Sequence, residues 1–357
     1  MTTEEQTAPG ELMRREIAEQ PDRWLDLLAS RSAVEEAGRY VAHLRDSGRL
    51  SGFAFAARGS SDHASIYGQY LAQSLLGVPA AMATPSMATV YGRDVHDPKT
   101  CLVAVSQSGA SPDLVATLES ARSCGSPTIA FTNDPGSPLA RAADVHVPLA
   151  AGPERSVAAT KTYTAELVAL HLWLRAAAGH PAAVVDDEIR ALAEHARTVV
   201  RRSAELAPGL ADRLAPADRA VLIGRAFGAA TAREGALKLM ETSSIAASGW
   251  SAADAKHGPL ASVTPGTPVF CFVGERAGRE SVEALLPDLR ARGADVHLVG
   301  SDPQQPGLAG ILPADVPDAL LPVLSIVPLQ CLARELALRK GFDPDRPDGL
   351  TKVTRTT

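Results

Sequence analysis

Short apolar runs alternate with longer amphipathic stretches along most of the chain. An uninterrupted apolar run of about five residues is typical of a strand buried on both faces, and the stretches that follow these runs have helical spacing. The predicted strands are residues 53–57, 102–105, 128–131, 145–149, 220–223, 268–273 and 296–299. Because strand and helix alternate in both halves, the pattern predicts an α/β protein with two doubly wound subdomains, each a parallel sheet flanked by helices.

Helical spacing also organises the segments outside these strands. Residues 11–29 show it, but Gln20-Pro21 interrupts the segment, so we expect two short helices that meet at the proline. Further helices are predicted at residues 33–45, 63–76, 112–124, 161–178, 181–206, 230–243 and 279–292. We therefore expect an N-terminal helical segment (1–40), a first subdomain (41–190), a helical connector (191–214), a second subdomain (215–345) and a C-terminal tail (346–357).

A turn rich in hydroxyl groups follows the predicted strand 102–105. It reads Ser106-Gln107-Ser108-Gly109-Ala110-Ser111, and Pro112-Asp113 then supplies the proline and acid of a helix start. Hydroxyls and free backbone N–H groups at a helix N-terminus can bind an anion such as phosphate. Taken alone, the turn is equally compatible with an ordinary helix cap.

A second turn of this kind, Gly59-Ser60-Ser61-Asp62, follows the predicted strand 53–57. In an open parallel sheet the carboxyl ends of the strands share one edge, where ligands bind. We therefore predict a phosphate site at this edge, with substrate contacts from Ser60, Ser61, Ser106, Gln107, Ser108 and Ser111. The corresponding turn of the second half, Gly274-Glu275-Arg276-Ala277, is charged, so we expect one such site per chain.

Composition and charge narrow the class of protein further. The 357 residues are 45% hydrophobic, enough for one large or two ordinary domains, and the net charge of -6 argues against nucleic acid as a partner. The four cysteines lack metal-ligand spacing and the N-terminus is polar, so we expect a cytoplasmic protein with reduced thiols and no metal. We predict no membrane span and, without a Gly-x-Gly-x-x-Gly motif after a strand, no organic cofactor.

Seven motifs, in the same order along the chain, together resemble those of the double SIS (sugar isomerase) family. They are residues 16–21, 59–64, 106–109, 157–162, 234–241, 256–260 and 349–352. The chain is similar to the isomerase half of glucosamine-6-phosphate synthase and to SIS-type glucosamine-6-phosphate deaminases. It departs from the synthase in having no glutaminase domain, in Ala159 where serine is favoured, and in Ser248 where an acid is common. These departures leave the substrate open.

The resemblance implies roles for particular residues. Glu241 would be the base that forms the enediol, and Lys352 would meet the open-chain carbonyl beneath a tail folded over the site. His257 would open the sugar ring in the neighbouring subunit's site, which implies a homodimer with shared active sites. Further substrate contacts are implied for Val157, Ala159 and Lys238. Glu241 lies on a helix whose apolar face contains Leu237 and Met240, so we expect its carboxylate to be partly buried, as suits a base. Without the resemblance, Glu241 would be interpreted as a surface glutamate paired with Lys238.

The distribution of lysine supports the same positions. The chain has only six lysines against 29 arginines, and four of the six, Lys161, Lys238, Lys256 and Lys352, lie within the motifs. A chain that favours arginine retains lysine where arginine cannot serve, and imine chemistry is one such case. Survival of a few lysines by chance is the alternative.

We therefore expect an enzyme that deaminates an amino-sugar 6-phosphate, most specifically glucosamine 6-phosphate to fructose 6-phosphate and ammonia. One enzymatic alternative is a deglycase for 6-phosphorylated fructosamine conjugates, which would use the same base and phosphate site but a roomier pocket around the amine. A ketose/aldose phosphate isomerase of the same superfamily is another. A non-catalytic sugar-phosphate sensor belongs to a different class. Such sensors usually have a DNA-binding domain or lack the catalytic trio, whereas Glu241, His257 and Lys352 are all present here.

Overall fold

The computed structural model describes residues 7–352, which form two compact units. The N-terminal unit contains residues 20–152 and 161–194, and the C-terminal unit contains residues up to 19 together with 153–160 and 195–352. The segment 153–160 therefore belongs to the C-terminal unit, although in sequence it separates two parts of the N-terminal unit.

A five-stranded parallel sheet forms the centre of the N-terminal unit, with strand order β2-β1-β3-β4-β5. Its strands are β1 (Gly52–Ala56), β2 (Ala80–Met82), β3 (Thr100–Ser106), β4 (Thr128–Thr132) and β5 (Val145–Pro148). β3 and β4 are buried almost completely, as their uninterrupted apolar runs require.

The helices of the first half begin with α1 (Glu11–Ala29), α2 (Ser32–Asp46), α3 (Ser60–Leu76) and α4 (Ser86–Thr89), and continue with α5 (Pro112–Ser123), α6 (Pro138–Ala142), α7 (Lys161–Ala177) and α8 (Ala182–Leu214). α7 is buried on nearly all sides and packs against α2 and α3. The segment predicted as a connector, 191–214, is the later part of α8, which extends over 33 residues.

A four-stranded parallel sheet forms the centre of the C-terminal unit, with strand order β7-β6-β8-β9. Its strands are β6 (Arg219–Gly224), β7 (Ala246–Ser251), β8 (Pro268–Phe272) and β9 (Asp295–Val299). Its helices are α9 (Gly228–Ser243), α10 (Ala252–Ala255), α11 (Arg276–Glu283), α12 (Leu286–Ala291), α13 (Leu321–Ser325) and α14 (Val327–Arg339). The predicted architecture, two parallel sheets flanked by helices, is therefore confirmed.

Pro21 lies inside α1, so the prediction of two short helices was wrong. An internal proline costs a helix about 3 kcal/mol, whereas burial of one large apolar side chain contributes about 1.5–3 kcal/mol. The turns that follow Pro21 bury Trp24, Leu27 and Leu28. Burial of these three side chains outweighs the lost hydrogen bond, and the helix continues to Ala29.

The single helix predicted at 279–292 is two helices, α11 and α12. Pro287 stands in the first turn of α12, where a proline is well tolerated. In a continuous helix the same proline would remove a backbone hydrogen bond and clash with the preceding turn. The chain therefore ends α11 at Glu283 and begins again at Leu286.

Strand β7 was not predicted, because its sequence, Ala-Ala-Ser-Gly-Trp-Ser, has neither an apolar run nor β-branched residues. It lies at the edge of its sheet and packs closely on α9. A Cβ on Gly249 would lie 2.4 Å from the carbonyl oxygen of Ala232. Glycine is thus required for this close approach of strand and helix.

One segment, Asp318–Arg339, is long and apolar enough to cross a membrane by composition alone, with a mean hydropathy of 1.5 over its best window. The prediction that no apolar run approaches this length was wrong for this segment. Within the protein, however, 83% of that window is buried, which is typical of a core helix.

Candidate active site

The two hydroxyl-rich turns emerge side by side from the sheet of the N-terminal unit. β1 and β3 are neighbours, with Ala56 in register with Ala104, and each turn follows the carboxyl end of its strand. The strand order also changes direction here, because β2 lies beyond β1 and β4 lies beyond β3. Such a switch point is where open α/β sheets bind ligands.

An ion pair joins these two turns. Arg58, in the turn after β1, donates from Nε and Nη2 to Asp113 Oδ2, at 2.8 Å in each case. Asp113 belongs to the first turn of α5 and its side chain is only 2% exposed, whereas Arg58 is 47% exposed. The sequence analysis did not single out Arg58, which fixes the spacing of the two turns and adds a partly exposed cation beside them.

Ser106 and Ser108 retain hydroxyl hydrogens that could be donated to a ligand. Their Oγ atoms accept backbone N–H groups, from Gly109 at 3.2 Å and from Ala110 at 3.3 Å respectively. A hydroxyl that accepts one hydrogen bond can still donate its own hydrogen. Phosphate oxygens accept hydrogen bonds, so this arrangement suits an anion.

Ser111 stands at the N-cap of α5, but its side chain makes no capping hydrogen bond. The alternative interpretation of the turn as an ordinary hydroxyl cap is therefore disfavoured. Gln107 is half-buried, and its backbone carbonyl accepts the N–H of Asn133 at 3.1 Å. This bond ties the turn after β3 to the end of β4.

Ser60 and Ser61 lie in the first turn of α3, which begins three residues earlier than predicted. Ser60 is 9% exposed and Ser61 7%. Ser61 Oγ donates to the buried carboxylate of Glu166 at 2.7 Å. The Ser61 hydroxyl is thus already a donor to a protein group, unlike those of Ser106 and Ser108, and would have to leave Glu166 to donate to a phosphate.

Gly109 allows the turn after β3 to fold. Its φ is +59°, in the left-handed region that side chains disfavour, and a Cβ at this position would lie 2.2 Å from Ser137 Oγ. Both the backbone conformation and the nearby hydroxyl therefore require glycine.

In the C-terminal unit, Lys238 lies between two carboxylates on α9. Lys238 Nζ is 3.3 Å from Glu234 Oε1 and 2.5 Å from Glu241 Oε2, and the side chains of Lys238 and Glu234 are 0% exposed. Glu241 retains 22% exposure. The buried face of α9 therefore includes this charged cluster, whereas Leu237 is only half-buried and Met240 is 43% exposed, so the predicted apolar face was wrong.

The charge of Lys238 is stabilised by its neighbours. Burial by itself lowers the pKa of Lys238, but the carboxylates of Glu234 and Glu241, with a further contribution from Glu154, outweigh burial and raise the pKa above its ordinary value. Lys238 is therefore an ammonium group at neutral pH. Its position between two carboxylates explains how a lysine can be completely buried.

Lys352 lies against the segment 153–160. Its Nζ donates to Glu154 Oε2 and to the carbonyl oxygen of Ser156, at 2.7 Å in each case. Its side chain is 24% exposed, whereas that of Glu154 is 0% exposed. The C-terminal tail is thus anchored at Lys352 by a buried carboxylate.

Val157 and Ala159, the other predicted substrate contacts, belong to the same segment. Both are half-buried, and the N–H of Val157 donates to the carbonyl oxygen of Asp345 at 3.1 Å. The segment is also held through Glu16, whose Oε1 accepts the N–H of Arg155 at 2.5 Å.

His257 is exposed in the turn between α10 and the short 3₁₀ helix Pro259–Ser262. Within residues 7–352, no hydrogen bond or ion pair joins its imidazole to Glu241 or Lys352. The structure thus brings together Lys238 with Glu241, and Lys352 with Ser156, whereas His257 makes no hydrogen bond or ion pair with these groups among the described residues. Across this described part of the chain we also find no cluster of three His, Cys, Asp or Glu residues that could hold a metal.

In the C-terminal sheet, a protein carboxyl group lies at the edge where the strand order changes direction. The Glu275 side chain accepts hydrogen bonds from the backbone N–H groups of Phe227 and Gly228, at the start of α9. Burial, reinforced by the carboxylate of Asp318, raises the pKa of Glu275 well above its ordinary value despite these two hydrogen bonds. A protein carboxyl group thus occupies helix N–H groups that could otherwise bind a ligand.

Glu275→Gln is expected to flatten the pH dependence of stability. Because the folded protein holds the Glu275 proton to a higher pH than the unfolded chain does, the free energy of unfolding falls as pH rises above the ordinary glutamate pKa. Glutamine cannot ionise, so the variant should gain stability relative to the parent as pH rises. Urea unfolding at pH 5 and pH 8 measures this, with the exposed Glu280→Gln on α11, whose N-cap residue is Glu275, as control. Equal pH slopes in parent and Glu275→Gln would contradict the interpretation.

Comparison with known families adds to this geometry. The SIS domain family model matches residues 44–176 and 213–338, which together make up well over half of the chain. The chain belongs to the SIS domain family. The two matched segments contain the two parallel sheets.

A curated relative of this SIS protein is the glutamine–fructose-6-phosphate aminotransferase [isomerizing] of Methanothermobacter thermautotrophicus. It is 34% identical over 349 residues, which cover 95% of this chain and 56% of the relative. The chain thus spans little more than half the length of the curated relatives that it matches.

Two solved structures have the same fold. The C-terminal domain of glucosamine-fructose-6-phosphate aminotransferase from Francisella tularensis is 26% identical, with a TM-score of 0.82, and the match covers 94% of this chain and 98% of that one. A glucosamine-6-phosphate deaminase from Thermotoga maritima is 20% identical, with a TM-score of 0.76, covering 97% and 100%. The second likeness concerns the fold alone.

The sequence analysis of this SIS protein missed the carboxylates that hold the predicted residues. Glu234, Glu154 and Glu166 are buried partners of Lys238, Lys352 and Ser61 respectively. Glu234 had a usable signal, since it lies four residues before Lys238 on one helix face. Glu154 and Glu166 are 198 and 105 residues from their partners, and only the fold brings them together.

Proposed function

We propose that this SIS protein deaminates an amino-sugar 6-phosphate, converting glucosamine 6-phosphate and water to fructose 6-phosphate and ammonia. The observation that supports this most directly is the Glu241 carboxylate, which Lys238 holds at one oxygen while the side chain remains partly exposed. A fixed carboxylate with access to solvent is suited to move a proton between adjacent carbons of a bound sugar.

The proposed reaction begins with opening of the pyranose ring, which exposes an aldehyde at C1. Glu241 takes the proton from C2 and returns it to C1, while the C1 oxygen gains a proton and the nitrogen loses one, which leaves a hydroxyl group at C1 and an imine between C2 and the nitrogen. Water then adds to C2 and ammonia departs, leaving the ketone of fructose 6-phosphate. Atoms balance without an oxidant or reductant, because the sugar is oxidised at C2 and reduced at C1.

The phosphate contacts are proposed to come from the turns at Ser60–Ser61 and Ser106–Ser111. The hydroxyls of Ser106, Ser108 and Ser111 support this, because each is able to donate a hydrogen to an anion. These turns contain no lysine, so hydrogen bonds and the helix N-termini are proposed to hold the phosphate, beside the partly exposed cation of Arg58.

Lys352 and His257 complete the proposed acid–base set. Lys352 is proposed to meet the C1 carbonyl of the open sugar, and His257 to transfer the proton at the ring oxygen. Exposure of His257, which makes no ion pair with Glu241 among the described residues, supports a role in the site of a second subunit. We therefore propose a homodimer in which each active site uses His257 of the partner subunit.

Ammonia release from a panel of 6-phosphorylated sugars tests the proposal. The panel contains glucosamine 6-phosphate, a 6-phosphorylated fructosamine conjugate and unphosphorylated glucosamine, with fructose 6-phosphate monitored for isomerisation. We expect ammonia from glucosamine 6-phosphate and a kcat/KM at least about 100-fold lower without the phosphate, since several charge-assisted hydrogen bonds would be lost.

The other outcomes identify the alternatives. Turnover confined to the fructosamine conjugate would make the protein a deglycase, and interconversion of ketose and aldose phosphates without ammonia would make it an isomerase. Binding of panel sugars without any turnover would contradict an enzymatic role and favour a sensor. The double variant Ser106→Ala/Ser108→Ala tests the phosphate contacts. Loss of their hydrogen bonds should weaken substrate binding by about 1–3 kcal/mol, which raises KM, and should change kcat little.

A further inference from the structure

Glu154 is a buried carboxylate that lies directly against the predicted catalytic tail. Its side chain is 0% exposed, and its two oxygens have different partners: Oε2 accepts Lys352 Nζ at 2.7 Å, and Oε1 accepts the backbone N–H of Thr160 at 2.9 Å. Neither the motif resemblance nor the spacing of residues indicated this role.

Complete burial of this carboxylate has an electrostatic consequence. A buried charge is strongly unfavourable unless an opposite charge and hydrogen bonds compensate for it. When one partner of a buried pair is lost, the remaining charge is buried without compensation. Glu154 therefore favours the conformation in which the Lys352 ammonium group is in place. The carbonyl oxygen of Ser156 reinforces this position by accepting from the same Nζ.

The same carboxylate also influences Lys238, which is completely buried. The charge of Glu154 contributes to the field that keeps Lys238 protonated, after the larger contributions of Glu234 and Glu241. Glu154 therefore acts on two lysines of the C-terminal unit, on Lys352 by direct contact and on Lys238 through its charge. It is held by Thr160 in a segment whose backbone is fixed by Gln330, because Gln330 Nε2 donates to the carbonyl oxygen of Thr160 at 3.3 Å.

We infer that Glu154 is a positioning residue, which anchors the C-terminal tail through Lys352 and holds that ammonium group in its working position. The catalytic consequence of this role rests on the proposed function. The anchoring of Lys352 does not. Glu154 acts through Lys352 and needs no contact with the sugar.

Glu154→Gln is the variant that tests the inference, because glutamine retains the shape and an oxygen for Thr160 but removes the charge that holds Lys352. The first measurement is the rate at which an amine-reactive ester labels Lys352, followed by peptide mass spectrometry. We expect labelling of Lys352 to accelerate at least about tenfold, while labelling of the exposed Lys99 and Lys256 stays unchanged. Glu280→Gln, an exposed charge loss in the same unit, is the matched control.

The second measurement is steady-state turnover of glucosamine 6-phosphate by the full-length chain. We expect Glu154→Gln to lower kcat by about 10- to 100-fold and to change KM less than threefold, because phosphate contacts are intact. In a Lys352→Ala background the same substitution should lower kcat no further, since its effect passes through Lys352.

The outcomes separate failure of the inference from failure of the proposed function. Unchanged labelling of Lys352 in Glu154→Gln would overturn the anchoring, whatever the enzyme does. Faster labelling with unaltered kcat, or a further loss of kcat in the Lys352→Ala background, would overturn the positioning role. If the parent chain fails to turn over any panel sugar, the proposed function fails, and the labelling result still decides whether Glu154 anchors the tail.

Discussion

Replacing Glu241 with glutamine is expected to lower kcat for glucosamine 6-phosphate by about 100- to 10,000-fold, the usual contribution of a general base. Glutamine has the size of glutamate and can still accept a hydrogen bond from Lys238. The buried ammonium group also retains Glu234, so the cluster should stay folded. Steady-state kinetics measure the loss, and sugar-phosphate binding by calorimetry should be nearly unaltered.

The control for this prediction is Glu280→Gln, which removes an exposed charge from the same unit. It should leave kcat unaltered. A Glu241→Gln protein with full activity would remove Glu241 from the mechanism, and one that loses sugar binding together with activity would make its role binding rather than proton transfer.

The Glu241→Gln protein also tests the shared site. Mixed with inactive His257→Ala subunits, it should regain about a quarter of the parent activity, because random exchange makes half of the dimers hybrid and each hybrid has one intact site. Hybrids that form but remain inactive would show that His257 serves its own chain.

The largest expected effect on stability comes from Lys238→Met. Methionine fills the space but leaves Glu234, which is 0% exposed, without its buried counter-charge. Breaking a buried ion pair in this way costs about 3–5 kcal/mol. Urea unfolding should show the loss in the free energy of unfolding, with little change in the slope of the transition.

The rescue variant is Lys238→Met/Glu234→Gln. Removing the carboxylate charge that Lys238 compensates should restore most of the lost stability, because a neutral amide is much less costly to bury than a carboxylate. If the double variant is as unstable as Lys238→Met, packing rather than charge compensation accounts for the loss. A single variant with parental stability would show that Lys238 does not compensate Glu234.

The sequence predicts the parts of this fold that depend on local patterns. The apolar run 102–105 gives strand β3, and Ser111-Pro112-Asp113 gives the start of α5, because burial on both faces and helix capping each have a local signal. Strand β7 has no such signal, since its place is set by close packing on α9 at Gly249. Pro21 led to a wrong prediction for the opposite reason. Its strong local signal for a helix end is outweighed by burial of the apolar side chains that follow it in α1.

The candidate site likewise has a part that the sequence predicts and a part that only the fold determines. Motifs locate Lys238, Glu241 and Lys352, but not the environment that determines their chemistry. Lys352 contacts Glu154, 198 residues away, and no periodicity of the sequence connects positions so distant. Lys238 was placed correctly in α9, yet its burial depends on the rotation of that helix, which the apolar residues Leu237 and Met240 predicted incorrectly.

Exchange of the C2 proton with solvent tests the proposed proton transfer most directly. The protein is incubated in D₂O with glucosamine 6-phosphate, and proton NMR follows deuterium in recovered substrate and in the fructose 6-phosphate that forms. The proposed mechanism predicts that the parent protein introduces deuterium at the carbons between which the proton moves, and that Glu241→Gln introduces none at a comparable rate. Product formed without any deuterium, or equal exchange by parent and Glu241→Gln, would contradict proton transfer through Glu241.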